Sequence, residues 1–118
     1  PAATQAVVLF PSSDEARAFF NTSSQRWPAC ANRQFTTPGD ADNPDAVWHV
    51  APLSTANATL STTITMTMAR PGLNVHGSCQ RALTVRNNVA IDTCTCSDNP
   101  GDTAVTVANQ IATKVDKQ

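Results

Sequence analysis

Apolar and polar residues alternate most cleanly between positions 60 and 68, where Leu60, Ile64, Met66 and Met68 share one parity and Ser61, Thr63, Thr65 and Thr67 hold the other. An extended chain puts successive side chains on opposite faces, so this segment reads as a strand with one packing face and one polar face. Upstream, Gln5 to Phe10 is a short apolar run expected to be a buried strand, ended by Pro11. The period then changes. Ser12-Ser13-Asp14-Glu15 fits the S-x-x-E capping box, and Ala16, Phe19, Phe20 and Trp27 fall on one helical face before Pro28 stops the helix and leaves Cys30 just beyond it. Asn32 to Thr36 and Ala46 to Pro52 read as further strands, the second carrying Trp48 and His49, with turn chemistry between them from Pro38 to Pro44. Arg70-Pro71-Gly72 breaks the long strand, a hairpin turns at Asn87-Asn88, and Asn99-Pro100-Gly101 leads into a last helix. There Ala104, Ala108, Ile111 and Val115 recur at helical spacing, Asp102 is the expected N-cap, and Lys114 and Lys117 sit near the negative end of the helix dipole.

These elements predict an α+β fold: an antiparallel, Thr-rich β-sheet packed with two α-helices and stapled by disulfides. At 118 residues the chain is read as one domain, 1–118, long enough for one core and too short for two. Charge changes the picture only by exclusion. With 14% charged residues and a net charge of −1, no basic field exists to hold a phosphate backbone, so nucleic acid is not an expected partner. No apolar run approaches the roughly 18 residues that span a bilayer. The opening PAATQ runs straight into VVLF and reads as a start inside a larger protein, so membrane attachment is expected only through a segment outside this fragment.

The stretch CQRALTVRNNVAIDTCTC, residues 79 to 96, carries three of the four cysteines. If Asn87-Asn88 is a two-residue type I′ turn, facing residues sum to 175, and Cys79 meets Cys96 as a non-hydrogen-bonded pair close enough for a disulfide. Cys94 shares that face, where the end of the first helix brings Cys30, so Cys30–Cys94 is the expected second bridge. Two alternatives stay open: Cys30–Cys96 with Cys79–Cys94, or Cys30 joined to a cysteine upstream of the fragment. Zinc would require converging thiolates, but the two C-x₂-C knuckles are absent; no C-x-x-C opens a helix for redox work either. Disulfides are therefore the reading, and they place the domain in an oxidising compartment. Arg81 and Asp92 lie diagonally across the same face and are expected to form a structural ion pair.

Catalytic signals are missing. His49 and His76 are the sole histidines, without H-E-x-x-H, and neither G-x-S-x-G nor a phosphate-cradling glycine loop occurs. No catalytic residue, metal or cofactor is expected. The Ser61, Thr63, Thr65, Thr67 row is the candidate lining of a polar ligand cleft, set against a merely solvated sheet face. Trp27 and Trp48 are expected in the core, with stacking on a ligand as the alternative.

W-P-A-C at 27–30, TLSTTIT at 59–65, C-Q-R-A-L-T-V-R-N-N-V at 79–89, I-D-x-x-x-C at 91–96 and A-N-Q-I-A-T-K-V at 108–115 together resemble the PknH-type extracellular sensor domain. That family forms the outward-facing C-terminal end of mycobacterial transmembrane Ser/Thr protein kinases and recurs in cell-envelope lipoproteins. The resemblance implies a disulfide-linked α/β domain with an antiparallel sheet and a broad cleft for an unidentified small ligand or envelope component. It also implies that this chain is the C-terminal part of a longer sensor domain, acting outside the cell in signal transduction rather than as an enzyme. A homodimer is one candidate assembly; a non-sensing protein-interaction or lipoprotein domain is the alternative function.

Overall fold

The two-residue loop at Asn87-Asn88 sets the register of the last hairpin: Arg86 pairs with Val89 and, seven residues on, Cys79 with Cys96. The computed structural model describes residues 2–70 and 73–117. Pro71 and Gly72, on which the expected strand break falls, lie outside the described residues. The elements are β1 (Ala2–Leu9), α1 (Ser13–Arg26), a 3-10 turn (Trp27–Ala29), β2 (Arg33–Thr37), β3 (Ala46–Val50), β4 (Ser54–Ala56), β5 (Thr59–Arg70), β6 (Leu73–Arg86), β7 (Val89–Ser97) and α2 (Thr103–Asp116). All strand pairs are antiparallel, in the order β1-β7-β6-β5-β3-β2, with β4 also on β5. The expected fold class is the observed one.

Local chemistry accounts for the elements and for three corrections. The capping box forms as read, with the Glu15 N–H donating to Ser12 Oγ at 3.1 Å. The β6–β7 turn keeps the expected register with different backbone signs: Asn87 has φ +53° whereas Asn88 is not among the positive-φ residues, the pattern of a type II′ turn. The type I′ signs occur instead at Asn57 (+53°) and Ala58 (+60°), which join β5 to β4, a strand too short at three residues to show alternation. The Gln5–Phe10 run forms an exposed edge strand, not a buried one, and Leu9 is 72% exposed. Both helices pack chiefly on β6 and β7, leaving β1 with a neighbour on one side only.

The most consequential difference lies in which sheet face is covered. α2 rests on the polar parity. Its Ala104, Ala108 and Ala112 are buried against Ala82, Val89 and Ile91, small side chains that let helix and sheet approach closely. Gln80, Thr59, Thr84, Thr93 and Thr95 are buried on this face, and each has a hydrogen bond. Burying polar groups costs little only when they are paired, so this face is a docking surface and not a solvated one.

Gln80 does the work expected of Asp102. Its Oε1 accepts from the Ala104 N–H at 2.9 Å and the Val105 N–H at 3.3 Å, while Nε2 donates to Asp102 Oδ1 at 3.1 Å. Asp102 makes no capping bond of its own. The first N–H groups of a helix have no partner within it, so a glutamine reaching up from the sheet both caps α2 and fixes it in place. Replacing Gln80 by Ala strands these donors in a buried setting and is expected to cost about 2–3 kcal/mol. Urea unfolding should show a lower midpoint at unchanged slope, with faster amide exchange at Ala104 and Val105; unchanged exchange there would show that the cap is dispensable.

Candidate functional site

The opposite face of the sheet is covered over only half its length. Leu60, Leu83 and Ala90, each at most 2% exposed, lie under the α1 half. Pro28 has no backbone N–H to continue α1, and the chain tightens into the 3-10 turn that sets Trp27 over the sheet. The Trp27 ring lies 4.8 Å from the Arg81 guanidinium carbon, a cation–π contact. Arg81 in turn grips Asp92 with two hydrogen bonds, Nε at 3.1 Å and Nη2 at 2.6 Å. The diagonal placement read from the register thus brings the two charges together. The Asp92 hydrogen bonds hold the guanidinium above its ordinary pKa, with burial opposing. With the Arg81 side chain 49% exposed, the pair is only a modest source of stability.

Beyond this Trp27–Arg81–Asp92 wall the face is open. A cavity of about 350 Å³ lies among Arg26, Trp27, Cys30, Val50, Leu53, Thr62, Ile64 and Arg81. Ile64 is shared with a second hollow of about 570 Å³ that includes Trp48, Met66, Gly77 and the cysteines of β6 and β7. Together they form one apolar groove across β3, β5, β6 and β7. Trp48 sits opposite Met66, stacks on Phe35 at 6.1 Å, and donates from Nε1 to Thr37 Oγ1 at 3.0 Å. Both tryptophans assigned to the core therefore line the groove. Both volumes fall in the range of small-ligand sites, and the mostly apolar lining with a few polar groups is what such sites share.

Ser61, Thr63, Thr65 and Thr67 are on the other face. Ser61 is buried, Thr65 Oγ1 bonds Ser78 Oγ at 3.2 Å, and Thr63 faces Gln80 in the register. The groove takes the parity that the sequence pattern had assigned to packing. One signal for it was present: of the two α-helices among the described residues, α2 carries mostly alanine on its packing side and sits on the opposite face, so neither is placed over Ile64, Met66 and Trp48. Both histidines are exposed, and no hydrogen bond joins either to a hydroxyl or carboxylate among the described residues.

Cys79 and Cys96 are bonded, with Cα atoms 4.0 Å apart. Closing that loop of 17-residue separation restricts the unfolded chain and stabilises by roughly 3 kcal/mol. The expected Cys30–Cys94 bridge does not form: both are free thiols. The 3-10 turn commits Trp27 to Arg81 and leaves Cys30 exposed at the first hollow, whereas Cys94 stands beside the disulfide, the Cys79, Cys94 and Cys96 sulfurs lying within 4.8 Å of one another. With two of these sulfurs bonded to each other, Cys94 is the one sulfur of this cluster left to bind a metal, fewer than the several converging ligands such a site needs.

The sequence profile for PknH-like extracellular domains matches residues 1–114. Over 114 residues the chain is 34% identical to the serine/threonine-protein kinase PknH of Mycobacterium tuberculosis (strain H37Rv) and to that of Mycobacterium bovis, covering 97% of this chain but 17% and 18% of those proteins. The crystal structure of the extracellular domain of PknH from Mycobacterium tuberculosis matches with a TM-score of 0.77 at 34% identity, over 98% of this chain and 56% of that one. The chain thus spans less than a fifth of these curated relatives and about half of the solved domain. The matched part is the extracellular domain and not the kinase domain. No helix among the described residues is long and apolar enough to cross a membrane.

Two free thiols give a direct count. Thiol titration of the denatured, unreduced protein is expected to find two reactive groups, rising to four after reduction. A count of zero before reduction would restore the second bridge.

Proposed function

Since the chain belongs to the family of PknH-like extracellular domains, we propose that it is the ligand-sensing part of a receptor-type Ser/Thr protein kinase, attached to the membrane in the full-length protein. The observation that carries this reading is the open groove built from Trp27, Trp48, Ile64 and Met66 on a disulfide-fixed sheet. These four side chains are half-buried and border one contiguous apolar hollow, and a contiguous apolar patch, unlike scattered exposed residues, marks a binding surface. Signalling then requires that an occupant bind two arrangements of the domain unequally.

A second reading rests on β1. Its eight residues carry no charge, proline or glycine, and Val7, Val8 and Leu9 are 52%, 50% and 72% exposed. Such an edge can extend the sheet with a strand from another protein or from a second copy, as a non-sensing interaction domain would.

Gly77 separates the two. It lies in the groove on β6, and a Cβ added there meets nothing within 4 Å, so Gly77→Phe plugs the groove without disturbing the strand. In a thermal-shift screen of lipids, glycans and small metabolites, a groove ligand at a hundredfold its Kd should stabilise the wild-type chain by about 2.7 kcal/mol. The same ligand should stabilise Gly77→Phe far less. No shift from any compound, with saturable protein binding lost on charging β1 by Val7→Lys, would replace sensing by the interaction reading.

A further inference from the structure

The groove carries charge of opposite sign at its two ends. Of the six arginines in the chain, Arg26 and Arg81 line the hollow near the 3-10 turn, and Arg33 stands opposite Val50, another lining residue, in the β2–β3 register. Arg81 is neutralised by Asp92, but Arg26 and Arg33 have no ionic partner among the described residues. At the far end the charged lining residue is Asp98. Between the two ends run Leu53, Val50, Ile64, Met66 and Trp48, with the Cys79–Cys96 bond beyond them. A chain with net charge −1 thus gathers unpaired positive charge at one mouth of an apolar channel.

We propose that the occupant is a monomeric anionic lipid with a single acyl chain, its phosphate or carboxylate head at Arg26 and Arg33 and its chain lying along Ile64, Met66 and Trp48. This deepens the sensing reading and rests on it. Charge sets the direction, since an anionic head is drawn to the arginines and repelled by Asp98. Guanidinium forks suit phosphate and carboxylate oxygens, and the apolar floor takes methylene groups. A carbohydrate would leave its hydroxyls against Ile64, Met66 and Leu53 without partners. An extended peptide would find the backbone groups of β5 already paired on both sides by β3 and β6. A bilayer surface is flat, whereas this site is recessed.

Both tryptophans of the chain line the groove, so their emission reports occupancy directly. Dodecyl phosphate, titrated below its micelle concentration, should shift the emission to the blue saturably. Binding should tighten about two- to fourfold for each methylene added from octyl to dodecyl phosphate, given the transfer energy of a CH₂ group into a partly open site. Arg26→Gln with Arg33→Gln should weaken it about tenfold, as expected for losing charge-assisted hydrogen bonds. Dodecyltrimethylammonium should bind at least as poorly, and inorganic phosphate alone should leave the emission unmoved.

Equal binding of the cationic amphiphile, absence of chain-length dependence, binding to anionic vesicles but not to monomers, or a shift traced to dimer formation would each overturn the proposal. The two levels fail separately. If dodecyl phosphate does not bind while another compound gives a thermal shift that Gly77→Phe removes, the groove remains a ligand site and the lipid class is wrong. If no compound gives such a shift, both readings fall.

Discussion

The pairing register of β6 with β7 is the constraint on which the rest of the molecule depends. Side chains alternate across a sheet, so a slip of one residue would exchange the two faces of every element built on that hairpin. Gln80 would then point into the groove and Cys79 under α2. Several independent contacts prevent the slip. The two-residue loop fixes the count, the Cys79–Cys96 bond locks the far end, and Arg81 on Asp92 ties the middle. Near the turn, Phe10 and Asn88 exchange hydrogen bonds, the Phe10 N–H donating to the Asn88 carbonyl at 2.8 Å and Asn88 Nδ2 to the Phe10 carbonyl at 3.0 Å. The strand leading into α1 is thereby positioned by the same hairpin.

From that register follows a division of labour that inverts a simple hydrophobic reading. The polar face receives α2, because the Gln80 side chain supplies the acceptor that the first N–H groups of a helix lack and the buried threonine hydroxyls find partners there as well. Thr93 Oγ1 donates to the Ala104 carbonyl at 2.8 Å while Gln80 accepts from the N–H groups of Ala104 and Val105. Small alanines then bring the helix down onto the sheet. Among the described residues the apolar face receives α1 alone, which reaches as far as the Trp27–Arg81 contact. Openness of the groove is thus a consequence of where the polar partners of α2 lie.

How much of this could be read from residues alone follows the range of the interactions involved. Local ones were legible: the Ser12 cap, both helices, the hairpin register and the meeting of Cys79 with Cys96 all depend on spacing within one segment. Alternation told which residues of β5 share a face, but not which face would be covered, since that is decided by helices distant in sequence. The assignment of Asp102 as the cap failed for a similar reason, because the partner came from Gln80, 22 positions earlier. Cys30–Cys94 required knowing where the 3-10 turn settles, and a single aromatic contact with Arg81 sets that. β1 was read as buried because an apolar edge strand and an apolar central strand look alike in sequence.

The two helices are anchored unequally, and this bears on how occupancy of the groove could be transmitted. α2 buries three alanines and is held by hydrogen bonds from the sheet, whereas α1 buries Ala16 and Ser23 and packs on β6 and β7 less extensively, with Trp27 on Arg81 just past its end. Elements with few buried contacts are the ones that move at low energetic cost. An occupant of the proposed groove would touch Arg26, Trp27 and Cys30 on one side and Ile64 and Val50 on the other, so it would bridge the loosely held element and the rigid one. Its affinity would then differ between arrangements in which α1 sits closer to the sheet or farther from it, and that difference is the only free energy available to shift their populations. With the disulfide and the capped α2 holding the sheet, such an occupant would act chiefly on the position of α1.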